Sequence, residues 1–175
     1  MANFKMKGHT VFTQTDDNRP VYGSGVPAGT ILQVVSAKFS NRVTITANSF
    51  NTSQVLGELG ITPRFASSNI LLTAFCIFQV NGTGSYIYGD FYKNASDVTE
   101  TANLSGHIYG IASNDDGAGW SQMTYMFLDT CPENSLSTKT YKISARNHNT
   151  GGTGYLGWGT DTNMGHHLLA QEIAG

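Results

Sequence analysis

Residues 69–80 read NILLTAFCIFQV. The even positions Ile70, Leu72, Ala74, Cys76, Phe78 and Val80 are all apolar, and the odd positions Leu71, Phe75 and Ile77 supply a second apolar face. Successive side chains of a strand point to opposite sides, so a period of two marks a strand, and here both of its faces need cover. One face of a sandwich core accounts for half of that. The other half requires a loop, the N-terminal segment or another subunit. The stretch from Trp120 to Leu128 poses the same problem, with Trp120, Met126 and Leu128 on one parity and Met123, Tyr125 and Phe127 on the other. The residues expected between subunits are Phe75, Ile77, Met123, Tyr125 and Phe127.

Working outward, strand signals recur at Thr30 to Ala37, Arg42 to Ala47, Leu59 to Pro63, Ser85 to Lys93, Ser105 to Ala112, Lys139 to Asn147, Thr153 to Trp158 and His166 to Ile173. Turn signals such as Asn81-Gly82 and Asn149-Thr150-Gly151-Gly152 separate them. The one helix candidate, Thr52 to Leu59, is interrupted by Gly57 and reads as a turn. Gly, Ser, Thr and Asn make up 69 of the 175 residues, a composition of short strands and turns. The expected fold is all-β, an antiparallel β-sandwich of jelly-roll type spanning residues 29–175. Residues 1–28 are expected to form a polar arm whose few apolar side chains, Phe4, Val11, Phe12, Val21 and Tyr22, anchor the chain to a particle.

Four C-terminal segments, FLDT (127–130), TYKI (140–143), GTGYLG (152–157) and EIAG (172–175), follow in an order that resembles a known family. Upstream, VPAGTILQVV (26–35) and GITP (60–63) fit the same pattern. The family is the C-terminal domain of tail fibres of marine and cyanobacterial bacteriophages, in which such strands close a small β-sandwich. The resemblance implies a homotrimeric protein of the virion, assembled in the host cytoplasm. Its partners would be further copies of itself, other tail or capsid proteins and a host surface glycan. It implies a short tail fibre or fibre tip that attaches to the host, with a capsid decoration protein as the alternative. The domain starts nearer to Met1 than in most tail fibres, which favours that alternative.

The remaining chemistry is sparse. Charged residues are 13 % and the formal net charge is -2, so no basic stripe offers counterion release to nucleic acid. No stretch is apolar for long enough to insert in a membrane, and without a signal-like N-terminus the chain is expected to fold in a cytosol, with Cys76 and Cys131 as free thiols. Among the histidines, His166 and His167 are adjacent and on a strand face opposite ways, so neither a metal nor any other cofactor is expected. No nucleophile elbow is present, and a glycosidase pair would have to come from distant carboxylates such as Asp90 and Glu172. An enzyme is not expected. Tyr86, Tyr88 and Tyr92 share one strand parity and read as a core or subunit stripe, with a sugar platform as the other reading. Loops 113–119 and 147–154 are the expected receptor contacts. There Asn114, Asp115, Asp116, His148 and Asn149 would donate or accept hydrogen bonds, and Trp120 or Tyr155 would offer an apolar ring.

Overall fold

The computed structural model describes residues 3–14, 20–22, 25–46, 48, 55–81, 86–93, 108–112, 118–131, 134–147, 153–157 and 166–175. These contain thirteen strands: β1 (Asn3–Met6), β2 (His9–Gln14), β3 (Pro20–Tyr22), β4 (Ile31–Phe39), β5 (Val43–Ile45), β6 (Val55–Ile61), β7 (Asn69–Asn81), β8 (Tyr86–Lys93), β9 (Ile108–Ala112), β10 (Ala118–Asp129), β11 (Lys139–Asn147), β12 (Thr153–Leu156) and β13 (His166–Ile173). No helix occurs among the described residues, and every strand pair is antiparallel. The all-β expectation holds in that form. The interrupted segment before Leu59 is an extended strand from Val55 onward, because it pairs with β11 through Glu58 and Val55.

Two sheets enclose one core. In the first, β7 lies between β10 on one side and both β13 and β12 on the other, with β4 outside β13 and β5 outside β12. The second has the order β6-β11-β8-β9. The even residues of β7 face inward with Leu168 and Ala170 of β13, against Ile87, Phe91, Tyr141, Ile143 and Ala145 of the second sheet. Phe78 and Tyr125 meet edge to face with ring centroids 6.1 Å apart. Each such side chain, fully withdrawn from water, stabilises by about 1.5–3 kcal/mol.

Residues 1–28 depart from the polar arm read from their composition. Strands β1, β2 and β3 form a sheet of their own. Lys7 and Gly8 both adopt positive φ, which a tight two-residue hairpin turn needs to match strand twist. Phe4 then stands opposite Phe12, and Phe12 opposite Tyr22. The Phe4 and Phe12 rings tilt together at 6.3 Å, a cross-strand contact that composition alone does not reveal.

At one end of the core the two sheets are tied by charge. Asp129, at the inner end of β10, accepts from Lys93 Nζ of β8 at 2.6 Å and from Tyr141 O–H of β11 at 2.7 Å, both on Oδ2. Its Oδ1 accepts from the Cys131 backbone N–H at 2.9 Å. Burial alone would push the Asp129 carboxyl up; the hydrogen bonds from Lys93, Tyr141 and Cys131, with the Lys93 charge, outweigh it and hold the group below the usual carboxylate range. A carboxylate with a lowered folded pKa stabilises the fold above its unfolded pKa, and that contribution is lost as the pH falls through the ordinary range toward the folded value. Acid unfolding of the wild type is therefore expected to begin below about pH 4. Lys93→Met leaves Asp129 sealed without its cation and is expected to cost about 3–5 kcal/mol at neutral pH. Urea unfolding across pH checks both; a Lys93→Met variant as stable as wild type would show that the pair contributes nothing.

Candidate interaction surface

The side of the first sheet turned away from the core mixes apolar with neutral polar side chains and carries little charge. Antiparallel register sets Val34, Gln171, Leu71 and Leu128 in one row across β4, β13, β7 and β10. The next row holds Ser36, Leu169, Thr73 and Met126. Beyond them the row of Lys38, His167, Phe75 and Thr124 carries the only charge-bearing groups of the three. Of the seven large hydrophobics exposed among the described residues, Ile31, Val34, Met126 and Leu128 lie here, and Met126 is 65 % exposed. Scattered apolar residues are ordinary on a surface, whereas exposed apolar side chains grouped on one weakly charged sheet face make it a candidate contact surface.

The structure divides the expected subunit-contact residues. Phe75 and Ile77 belong to this outer face, half-buried and buried respectively. Met123, Tyr125 and Phe127 face the core of their own chain, with Tyr125 7 % exposed and the other two packed beside it. This corrects the reading of β10. The parity holding Met123, Tyr125 and Phe127 ends in Asp129, which looks like a mark of the solvent side until Lys93 and Tyr141 are seen to satisfy it. The outward residues are Met126 and Leu128 instead.

Of the expected receptor contacts, Asn114, Asp115, Asp116, His148 and Asn149 lie outside the described residues. The positions of Trp120 and Tyr155 do come together: each stands opposite Gln79, on either side of β7. The Tyr155 ring is not open on both sides, because the Arg42 guanidinium stacks 3.8 Å from its centroid. Of the anchoring residues, Phe4 is 55 % exposed and Phe12 half-buried, but Val11 is buried at 6 % within the chain itself. Val21 and Tyr22 occupy β3, opposite Thr13 and Phe12.

The tyrosine stripe is divided: Tyr86 is exposed, while the other two pack within the chain. Tyr88 and Tyr92 are buried together with Val55 beside them, and Arg146 lies 4.8 Å from the Tyr88 ring. Asp90 shares their side of β8, away from the core, while Glu172 points into the core of the other sheet, so the two carboxylates do not share a cleft. Cys76 and Cys131 are free and buried. Burial pushes the Cys76 thiol up to about 12, and burial followed by the Asp129 charge pushes Cys131 up to about 11. Both are poor nucleophiles at neutral pH. Among the described residues no group of three or more His, Cys, Asp or Glu could hold a metal ion, and no helix is long and apolar enough to cross a membrane.

No family model matches the chain, and no curated protein matches it in sequence. Among solved structures it superposes on the VP2 subviral particle of infectious bursal disease virus with a TM-score of 0.46 at 9 % identity, over 89 % of this chain and 40 % of that one. On dimeric latent PorU from Porphyromonas gingivalis the TM-score is 0.43 at 11 % identity, over 86 % of this chain and 14 % of that one. On Eiger TNF from S. frugiperda it is 0.39 at 10 % identity, over 81 % and 94 %. Overlap of this degree carries neither a fold family nor a function over to this chain.

The assignment of the two faces of β10 has a direct check. Tyr125→Ala empties a core position and is expected to cost about 3 kcal/mol, whereas Leu128→Ala on dilute protein stays within about 0.5 kcal/mol of wild type. Equilibrium unfolding in urea measures both. The opposite order would exchange the two faces.

Proposed function

We propose that the chain is a structural protein at the surface of a bacteriophage particle, a homotrimer of jelly-roll-type sandwiches acting as a short tail fibre or fibre tip that binds the host envelope. The observation that carries this reading is the weakly charged outer face of the first sheet, with Met126, Leu128 and Val34 exposed in one chain. A surface of that kind is covered in use, and a repeated copy of the same chain is the simplest cover. The sequence resemblance is consistent with the elements: FLD ends β10, TYKI opens β11, GTGYLG spans β12 and EIA closes β13.

The mechanism is binding without chemistry. Each copy would present weak polar contacts from loops at the end where β12 and β10 meet β7, and copies on one particle would act together through effective concentration. A capsid decoration protein is the second reading. It is favoured by the separate β1-β2-β3 sheet, whose exposed Phe4 and neighbouring Phe12 offer a ready clamp for an adjacent shell subunit.

Electron microscopy of the particle with the chain labelled separates the two readings: density at the tail supports the fibre, and density on the shell lattice the decoration protein. Absence from the particle overturns both. Light scattering of the purified protein is expected to give the mass of a trimer, and Met126→Glu with Leu128→Glu to lower it without loss of the β signal. Replacing Asn114, Asp115 and Asp116 together by Ala is expected to abolish adsorption; adsorption unchanged on a folded trimer would remove that loop from the receptor site.

A further inference from the structure

Strand β7 changes partners part-way along one edge. β13 pairs with it as far as His167 opposite Phe75, and β12 takes over with Leu156 opposite Phe78. Ile77 lies in the gap. Its backbone N–H is accepted by His166 Nδ1 at 3.2 Å, and its carbonyl accepts from the Gly157 N–H at 2.8 Å. A side chain of β13 and the main chain just after β12 thus hold the backbone N–H and the carbonyl of one residue.

The ring is fully buried, at 0 % exposure. Because Nδ1 accepts a hydrogen bond, the proton of the neutral imidazole sits on Nε2, which has no hydrogen-bond partner among the described residues. Space around Nε2 is tight. Gly157 has φ +107, and a Cβ there would lie 3.1 Å from Nε2 and 2.6 Å from the Asn41 carbonyl oxygen.

Among the titratable and charged groups nearby, His167 disfavours a second proton. His167 is next in sequence, Lys38 of β4 stands opposite His167, and Arg42 flanks Gly157 just before β5. From β7 comes only the neutral Cys76 thiol, and from β12 only Tyr155. None of β4, β5, β7 and β12 contains an Asp or Glu, and the one carboxylate of β13, Glu172, lies at its far end.

We propose that this junction is a pH-sensitive latch: protonation of the His166 ring takes the acceptor from Ile77 N–H and places a buried charge against Gly157, so that the β13 side chain and the end of β12 both let go of Ile77 and β12 loosens from β7, while the β7–β13 ladder up to Phe75 and the β7–β10 ladder stay paired. Burial first, and then the neighbouring His167, hold the ring below the ordinary imidazole range. The latch is therefore intact above that range and loosens as the pH falls through it and below. The loosened strand carries Tyr155, the ring on which Arg42 stacks, so acid would rearrange one end of the sandwich without unfolding the chain.

Amide hydrogen exchange followed by NMR on the full chain, corrected for intrinsic rates, tests this between about pH 7.5 and about pH 4.5. Protection at Ile77 and Gly157 is expected to fall by about tenfold or more, while Leu72 and Ala170 in the β7–β13 ladder keep theirs. In His166→Asn the side-chain oxygen can accept the same N–H and does not titrate, so that selective loss is expected to disappear. Unchanged protection in the wild type, or the same loss in the variant, overturns the proposal. Should the variant not fold, the wild-type ring decides: titration of its nitrogen signals in step with the Ile77 and Gly157 amides supports the latch. Titration with those amides unmoved, or uniform loss of protection across the whole chain, refutes it.

Discussion

A carboxylate sealed inside a β-sandwich has to be satisfied by the chain itself, and Glu172 meets that demand from two distant segments. Its Oε1 accepts from the backbone N–H of Arg64 and of Phe65 and from the Ser68 hydroxyl, at 2.7, 3.2 and 2.7 Å. Its Oε2 accepts from Gln33 Nε2 at 2.7 Å, and the same nitrogen donates to the Thr62 carbonyl at 2.6 Å. An unpaired charge in that position would cost several kcal/mol, so the last strand cannot dock without the loop that follows β6. One residue near the C-terminus thereby fixes the register of β13 and closes the first sheet onto the second.

Asp129 stands in the same row. Glu172 and Asp129 are both opposite Ile70, one across each edge of β7, so two buried carboxylates flank the start of the central strand. Each recruits donors from the second sheet or from the loop leaving it. The demands are directional, unlike the apolar contacts of the core, and they select one alignment of the two sheets among the several that hydrophobic burial would tolerate. With the inner face committed in this way, Val34, Met126 and Leu128 of the opposite parity are left exposed. The candidate contact surface is thus a consequence of how the core is satisfied.

Much of this was legible in the sequence. The strands β7, β11 and β13 begin where period-two alternation and turn residues placed them, because both signals are local. The two-sided apolar character of β7 was equally plain. The outward face of β10 was not, because Asp129 gives the inner parity a polar mark and its partners Lys93 and Tyr141 are set by sheet pairing rather than by neighbours in sequence. The N-terminal sheet escaped for a similar reason: its contacts are between Phe4 and Phe12 across strands of 4 and 6 residues, too short to show a period. In the sequence Glu172 reads only as a possible acid, since its donors lie more than 100 positions away.

At the opposite end of the sandwich a neutral contact crosses between the sheets. Asn147 of β11 crosses to the other sheet and donates from Nδ2 to the Ile45 carbonyl at 2.6 Å. Gly154 lets β12 lie against it, since a Cβ there would come within 2.4 Å of the Ile87 side chain and 2.7 Å of Asn147 Oδ1. Gly154 and Gly157 of the GTGYLG segment are therefore required by close approach. Amide and imidazole contacts each contribute about 1 kcal/mol, less than the charge-assisted bonds at the other end. The molecule thus has one end whose geometry is fixed by buried ions and one that is held more weakly, beside the loops connecting β9 to β10 and β11 to β12. Sites that must adapt to a partner are drawn from the less stable parts of a fold, and the distribution of polar satisfaction in the core puts the weaker end where Tyr155 and the position of Trp120 share a row with Gln79.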